Sequence, residues 1–297
     1  MLALAVIVLA FLACGLFFFG HFATAKQNAA NNLSFQMKTF ERQVNKYFED
    51  LTRMGTSLSE SIAYKTDTFL QEEGVDFYSL NDDMIRISKL QDVLFDKLGT
   101  ELLKTDCSGA FLMLNVTVNS TLDGADKSKT GLYFQRASLD ETLLLYRGIS
   151  QIGREHGVMP HRQWRLEFNV DELSDYDRYL QRSDAASNNA PFLTGISILT
   201  GTSERTMRFI VPIVGANNIN YGICGFEISE NFFKKDFAQS SQLEHLTSMI
   251  FPQSDVLDTK NGFSAGVYDG YFLPPQGTLT VKDLGDGIVS LDGITPL

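Results

Sequence analysis

The sequence predicts an α+β protein in which long helices precede an antiparallel sheet. Residues 26–64 contain no proline, and their apolar side chains recur every three or four positions, as on one face of a helix. From residue 109 onward, runs rich in β-branched and aromatic residues alternate with polar turn segments. Helices first and strands afterwards favour α+β over a parallel, doubly wound fold.

The first 25 residues predict a transmembrane anchor. No charged residue precedes Lys26, and about 20 apolar residues in a helix span a hydrocarbon core of roughly 30 Å. Two alternatives stay open, because Ala23-Thr24-Ala25 resembles a signal-peptidase site and Leu12-Ala13-Cys14 resembles a lipoprotein box. The long apolar run, with no basic residue before it, favours a retained, single-pass anchor.

Residues 26–80 are predicted to form a long stalk helix. Its apolar stripe consists of Leu33, Met37, Phe40, Val44, Tyr47 or Phe48, Leu51, Met54, Leu58 and Ile62. A helix of this length exceeds what a compact domain usually contains. The stripe packs either on its own domain alone or also on a second copy of the chain. We expect a homodimer through this helix.

Residues 81–230 are predicted to form the larger of two modules. Two further helices are expected, over 82–104 and around 139–156. The predicted strands cover 109–118, 131–136, 164–170, 193–199, 207–214 and 221–228. The first two strands flank a polar loop and predict a hairpin.

Residues 231–297 are predicted to form a smaller module. A connecting helix is expected at 231–246. The shorter β-rich pieces lie at 249–251, 263–272, 278–281 and 288–291. We expect this module to be cut short at Leu297, because no second apolar span follows it.

The net charge argues against a nucleic-acid partner, and the cysteine spacing argues against a zinc site. The 36 Asp and Glu outnumber the 25 Lys and Arg, which gives a net charge of −11, and an acidic surface repels nucleic-acid phosphates. Cys14, Cys107 and Cys224 lack the spacing of a zinc site. Cys107 and Cys224 lie beside apolar runs, where buried free thiols are commoner than a disulfide.

No catalytic motif is present. The four histidines form no HExxH pair, and the chain has no GxSxG elbow, phosphate-binding GxxxxGK[ST] loop or GxGxxG turn. The sequence therefore predicts neither an enzyme nor a bound cofactor or metal ion.

The segment from Met207 to Ser229, MRFIVPIVGANNINYGICGFEIS, resembles the signature of double Cache sensor domains, the tandem PAS-like extracellular domains of bacterial receptors. A strand containing Pro212-Ile213, a polar turn at Asn217-Asn218 and a strand with Gly222 and Gly225 occur in the family's order. Segments 109–138 and 161–170 also look like a clostridial subgroup. An anchor, a long helix and two modules extend the resemblance over most of the chain.

This resemblance implies two PAS-like modules with antiparallel sheets, at 81–230 and 231–297. It also implies an extracellular, ligand-sensing part of a membrane-anchored signal-transduction receptor in a bacterial cell membrane. The output would come from a cytoplasmic part such as a helix-turn-helix regulator or a histidine kinase. The alternative is a membrane-tethered surface binding module without signalling output.

The resemblance also suggests a ligand site for an amino acid or organic acid. In amino-acid-binding members, an Arg-x-Trp pair meets the ligand carboxylate, and an Asp of the glycine-containing strand meets its ammonium group. Arg162, Trp164 and Glu227 match these positions, with Glu in place of Asp. Tyr133 and Arg136 are weaker ligand-binding candidates. The structural alternative makes Arg162 a surface cation and Trp164 a core anchor.

Overall fold

The protein is described here from a computed structural model. The described residues are 2–121, 123–137, 142–172, 191–198, 204–238, 247–250, 256–258, 262–266, 278–285 and 288–292. The chain divides into two compact units, Met1–Glu49 and Asp50–Leu297. The described part of the first unit is helical throughout.

The predicted anchor at residues 1–25 falls almost wholly on positions whose side chains lie outside the described part of the chain. Across the residues that are described, no helix combines the length and apolar character needed to cross a membrane.

Four helices and fifteen strands are found among the described residues. The helices are α1 (Leu2–Glu73), α2 (Met84–Leu103), α3 (Ser150–Glu155) and α4 (Glu230–Ala238). The first eight strands are β1 (Gly109–Leu114), β2 (Ser128–Lys129), β3 (Gly131–Arg136), β4 (Leu143–Arg147), β5 (Met159–Arg165), β6 (Phe168–Asn169), β7 (Phe192–Leu193) and β8 (Ser197–Ile198). The others are β9 (Arg205–Val214), β10 (Asn220–Ser229), β11 (Thr247–Ile250), β12 (Val256–Asp258), β13 (Phe263–Gly266), β14 (Thr278–Gly285) and β15 (Ile288–Asp292).

Helix α2 begins and ends close to the predicted positions. The Asp83 carboxylate accepts a hydrogen bond from the Arg86 amide at 3.0 Å and caps the first turn. Glu73, at the end of α1, pairs with Arg86 at 3.2 Å and with Lys89 at 2.7 Å. These contacts fix the start of α2 against the last turn of α1.

The central sheet is largely antiparallel, which confirms the α+β class. Its strands run in the order β5-β4-β3-β1-β10-β9-β7, with β8 also paired to β9. Only the β4–β5 pair is parallel among these strands. The predicted hairpin is confirmed, because β1 and β3 pair antiparallel across the polar loop.

The two faces of this sheet have different partners. Side chains alternate along each strand, so that Phe111 and Met113 lie on one face and Leu112 lies on the other. The helix face packs on α1 and α2: Phe134 contacts Phe95 of α2 with ring centroids 4.6 Å apart. The opposite face, called here the far face, carries a buried cluster of Phe111, Met113, Tyr133, Tyr146, Phe168, Ile210 and Ile223.

Two glycines of β10 allow its neighbours to approach closely. A Cβ added at Gly222 would lie 2.0 Å from the Met113 carbonyl oxygen, and one at Gly225 would lie 1.8 Å from that of Phe209. No side chain fits at either distance, so both positions require glycine.

Several boundaries differ from the sequence prediction. Strand β1 ends at Leu114 rather than at residue 118, and the strand predicted at 193–199 is instead β7 followed by β8. The helix predicted around 139–156 is wrong in its first half, because β4 occupies Leu143–Arg147 and only Ser150–Glu155 is helical. The apolar run at the start of β4 fits either structure, and pairing with β3 and β5 decides it. The stalk helix ends at Glu73 rather than at residue 80, since Gly74 adopts φ 67°. The strand predicted at 164–170 is instead β5 followed by β6.

The C-terminal part contains the predicted helix and short strands. Helix α4 packs against β13, with the rings of Phe233 and Phe263 at 6.0 Å. Strand β11 pairs with β13, and β12, β14 and β15 form a separate antiparallel sheet. The rest of the predicted helix, 239–246, lies outside the described residues, and the module boundary at 231 stays a prediction. Cys107 and Cys224 are buried, and no disulfide joins them.

Candidate functional site

A buried group of polar side chains occupies the far face of the central sheet. This polar cluster consists of Ser108, Tyr133, Gln135, Arg208 and Glu227. In the strand register, Glu227 of β10 lies opposite Gly109 of β1 on one side and Arg208 of β9 on the other. Gln135 of β3 also lies opposite Gly109. Three strand pairings therefore bring together residues that are distant in the sequence.

Gly109 leaves the space in which these side chains meet. A Cβ at this position would lie 3.2 Å from Gln135 Cγ and 3.3 Å from Tyr133 Cε2. Because β1 presents no side chain here, the side chains of β3 reach across it to Glu227.

The Glu227 carboxyl group is buried and hydrogen-bonded. Its exposed fraction is 0%. The Tyr133 hydroxyl donates to Oε2, while Gln135 Nε2 donates to Oε1 at 2.6 Å. Ser108 Oγ also donates to Oε1, at 3.1 Å. Three donors thus hold one carboxyl group, as burial of a polar group requires.

Burial shifts the pKa values of two side chains in the polar cluster. Burial raises the pKa of Glu227, although the positive charge of Arg208 and the three hydrogen bonds oppose that shift. Burial also raises the pKa of Tyr133 well above its ordinary range, and the nearby Glu227 charge adds to the effect. Tyr133 is therefore a neutral hydroxyl donor at physiological pH.

A short segment at the sheet edge fixes the strand that carries Arg208. The Thr194 amide donates to the Arg208 carbonyl oxygen at 2.9 Å, and the Arg208 amide donates to Thr194 Oγ1 at 3.0 Å. This reciprocal pair holds the connection between β7 and β8 against β9.

Aromatic contacts lead from the polar cluster towards β5. The rings of Tyr133 and Tyr146 lie 5.7 Å apart, and Tyr146 stacks on His161 at 4.2 Å. Burial raises the pKa of Tyr146 to about 12 and lowers the pKa of His161, with a further lowering from the Arg162 charge. Both rings are thus uncharged near neutral pH.

The five residues predicted from the sequence occupy three places. Glu227 and Tyr133 meet in the polar cluster. Arg162 is exposed on β5, beside His161. Trp164 is half-buried on the same strand, and its indole donates to the Gly148 carbonyl oxygen at 2.8 Å.

Arg136 is not brought to this cluster. Its guanidinium group donates to the carbonyl oxygens of Leu102 at 2.9 Å and Thr105 at 2.7 Å. It therefore satisfies backbone acceptors at the end of α2.

Sequence reasoning missed Ser108, Gln135 and Arg208. One local signal existed: in GLYFQR, residues Tyr133 and Gln135 are two apart and so share a face of the strand. Ser108 and Arg208 gave no local signal, because only the pairing of β10 with β1 and β9 places them beside Glu227.

A second polar feature lies next to the β2–β6 pair. A pocket of about 480 Å³ is lined by Asn119, Asp123, Gly124, Ala125, Lys127, Ser128, Arg165, Leu166, Glu167, Phe168 and Asn169. Glu167 accepts hydrogen bonds from the Val118 amide at 2.8 Å, Asn119 Nδ2 at 2.9 Å and Thr117 Oγ1 at 3.0 Å. These bonds tie the loop after β1 to the segment between β5 and β6. Within the described ranges, no three His, Cys, Asp or Glu side chains are grouped to hold a metal ion.

Comparison with known proteins finds solved structures that resemble this chain at low sequence identity. No protein-family model and no curated protein matches the sequence. The ligand-binding domain of the Campylobacter jejuni chemoreceptor Tlp3, in complex with L-valine, is 14% identical with a TM-score of 0.45, over 79% of this chain and 69% of that one. The periplasmic sensory domain of the Campylobacter jejuni chemoreceptor Tlp1 is 12% identical with a TM-score of 0.43, over 75% and 66%. A protein described as methyl-accepting chemotaxis protein X is 8% identical with a TM-score of 0.43, over 86% and 92%.

Proposed function

We propose that this chain is the extracellular, ligand-sensing part of a bacterial membrane-anchored signalling receptor of the double Cache type. The observation that carries the proposal is the polar cluster. The strands of the signature segment, β9 and β10, contribute Arg208 and Glu227 to it on the sheet face opposite α1 and α2. A largely apolar face with a few aimed polar groups suits a small-molecule site.

Contacts between the signature strands and α1 support a sensing role. Ser59 Oγ donates to the Pro212 carbonyl oxygen at 2.5 Å. Asp67 accepts from the Tyr221 hydroxyl at 2.5 Å and from the Ala216 amide at 3.0 Å. Because these bonds fasten both strands to α1, a ligand that shifts the strands would also bias the helix.

The finer parts of the proposal are a single-pass anchor at residues 1–25, PAS-like modules at 81–230 and 231–297, and a clostridial type of receptor. We also propose a homodimer through α1. Support for the dimer comes from apolar side chains exposed on this helix, with Phe35 at 65% and Met37 at 55% exposure. The ligand is a small molecule with a carboxylate, and Arg162 is its proposed partner, because the Arg162 charge is near enough to Tyr146 and His161 to lower the pKa of each.

The proposal is tested by a ligand screen on the purified full chain in detergent. Thermal unfolding is measured with amino acids, organic acids and polyamines, because a ligand at 100 times its Kd stabilises the folded state by about 2.7 kcal/mol. We expect at least one acid to raise Tm, and we expect Arg162→Gln to weaken its binding by about tenfold or more.

Arg154→Gln is the matched control, because Arg154 is also an exposed arginine, on α3. It should leave the Kd unchanged. Equal effects of the two substitutions would place the ligand elsewhere, and a complete absence of stabilising small molecules would contradict the sensing function.

A further inference from the structure

The pocket beside the β2–β6 pair is lined by residues other than those of the polar cluster. Its volume of about 480 Å³ lies within the range of small-molecule pockets, roughly 300–1,000 Å³. Residues from 119–128, after β1, form one wall, and residues 165–169 form the other. The pocket and the polar cluster adjoin, because the ring of Phe168, a lining residue, stacks on Tyr133 at 6.2 Å.

Hydrogen bonds hold the two walls of this pocket together. The buried Glu167 carboxylate of one wall accepts from Asn119 Nδ2 at 2.9 Å and from the Ser128 hydroxyl of the other. The Asp82 carboxylate, before α2, accepts from the Ser120 amide at 2.7 Å and from the Ser120 hydroxyl. A pocket whose walls are already fixed loses little conformational entropy when a ligand binds.

Three lining side chains offer complementary hydrogen-bonding groups. Asn119 donates through Nδ2 to Glu167, which leaves its Oδ1 as an acceptor. Asn169 accepts through Oδ1 from the Asp171 amide at 3.1 Å, which leaves its Nδ2 as a donor. The Ser128 hydroxyl donates to Glu167, so its oxygen can still accept. Donors and acceptors therefore line the same pocket.

Charged side chains add stronger donors and acceptors to this lining. Asp123, Lys127 and Arg165 line the pocket and are exposed. Lys127 also pairs with Asp171 at 2.8 Å. Hydrogen bonds with one ionised partner are roughly twice as strong as those between neutral groups. Leu166 contributes apolar surface to the same pocket.

From this lining we propose that the pocket binds a small polyhydroxyl molecule such as a monosaccharide, in addition to the acid of the proposed function. Each hydroxyl group donates one hydrogen bond and accepts two, so a molecule with several hydroxyl groups uses donors and acceptors of one pocket together. The sugar site involves neither Arg162 nor any residue of the polar cluster, and it is therefore independent of the acid site.

Calorimetric titration of the purified full chain in detergent with D-glucose, D-galactose, D-ribose and N-acetyl-D-glucosamine tests the proposal. We expect saturable binding of at least one of these sugars. Asn169→Asp should raise its Kd about fivefold or more, because the substitution removes the Nδ2 donor and keeps the oxygen that accepts from Asp171. Asn32→Asp is the matched control, because Asn32 Oδ1 on α1 also accepts a hydrogen bond, from Gln36 Nε2 at 3.2 Å. It should leave the Kd of the sugar unchanged.

Ala125→Phe is a second test, because Ala125 lines the pocket and a phenyl ring there fills it without removing a hydrogen-bonding side chain. This substitution should abolish sugar binding, and it should leave the Kd of the acid found in the ligand screen unchanged. Circular dichroism checks that the variant is folded. If it does not fold, the comparison of Asn169→Asp with Asn32→Asp still decides.

Absence of saturable binding by all four sugars would overturn the inference. Equal sugar Kd values in the unsubstituted chain and in Asn169→Asp would overturn it as well. Either result leaves the proposed function intact, because the acid screen and Arg162→Gln measure a different site. Sugar binding without any stabilising acid would contradict the proposed acid ligand and support the sugar site.

Discussion

Glu227 shows how a single buried carboxylate can organise a sheet face. A buried donor left without its partner costs about 1–3 kcal/mol. Tyr133, Gln135 and Ser108 are therefore held in one arrangement by the same acceptor. Glu227, one of the ligand-binding candidates from the sequence, thus already has hydrogen-bond partners on both carboxyl oxygens.

His156 is a second residue whose environment has a measurable consequence. Its Nε2 lies 2.7 Å from Asp92 Oδ1, and its Nδ1 lies 2.8 Å from Asp96 Oδ1. The ring also stacks on Phe95 at 4.5 Å. The hydrogen bond with Asp92 is the main cause that raises the pKa of His156 above 6.5, and Asp96 adds to it. These contacts join α3 to α2.

The His156 contact should therefore depend on pH. Since the folded-state pKa is raised, the stabilisation is complete below the unfolded pKa of about 6.5 and is lost as pH rises through the higher folded-state value. We predict that the Tm difference between the unsubstituted protein and His156→Gln is larger at about pH 5.5 than at about pH 8.5. Thermal unfolding followed by circular dichroism across this range measures it.

His161→Gln is the control, because the pH dependence of its effect on stability should have the opposite sign. Burial lowers the pKa of His161, so its contribution is present above the unfolded pKa and is lost as pH falls. A His156→Gln difference that stays constant with pH would show that the two aspartates do not bind the charged imidazolium.

At the scale of elements, the β9–β10 pair depends on close backbone approach. Gly225 lies where a Cβ would stand 1.8 Å from the Phe209 carbonyl oxygen, so any side chain must force the strands apart. Gly195 is a contrasting position, because a Cβ there would meet nothing within 4 Å.

We predict that Gly225→Ala lowers the free energy of unfolding by on the order of 1–3 kcal/mol, because overpacking at this contact displaces backbone. Gly195→Ala should change it by less than about 0.5 kcal/mol. Urea unfolding of both variants gives the comparison, and equal values would contradict the close approach of β9 and β10.

Helices and strands could be predicted from the sequence where the local residue pattern and the tertiary contacts favour the same structure. Helix α2 has a capping aspartate and a regular apolar face, and β3 has a strand composition between two turns. Strand β4 could not be predicted, because its apolar start, Leu143 to Tyr146, carries no alternation and becomes a strand only through pairing with β3 and β5. The sequence pattern of β4 therefore led to a wrong helix prediction, because pairing with neighbouring strands determines the structure of this segment.

The site was predictable in part for a related reason. Glu227 and Tyr133 lie on strands recognisable from the sequence, whereas Arg208 joins them through a strand register that no local pattern encodes. Tyr133 and Arg136 were both candidates, yet they lie three residues apart on β3 and therefore point to opposite faces of the strand. The guanidinium group of Arg136 accordingly binds the end of α2.

At the scale of the molecule, the described part of Asp50–Leu297 has helices on one face of the sheet and the polar cluster on the other. The bonds from Ser59 and Asp67 to Pro212, Ala216 and Tyr221 connect the two sides through the signature strands. This arrangement gives a ligand on the far face a physical route to α1, provided that the ligand binds two states of the strands unequally.

Hydrogen exchange of the full chain, with and without the acid that gives the largest thermal shift, tests this route most directly. We expect altered exchange in β9 and β10 and also in α1 between residues 55 and 70. Altered exchange confined to the strands, with α1 unchanged at saturating acid, would contradict it and would favour a binding module without signalling output.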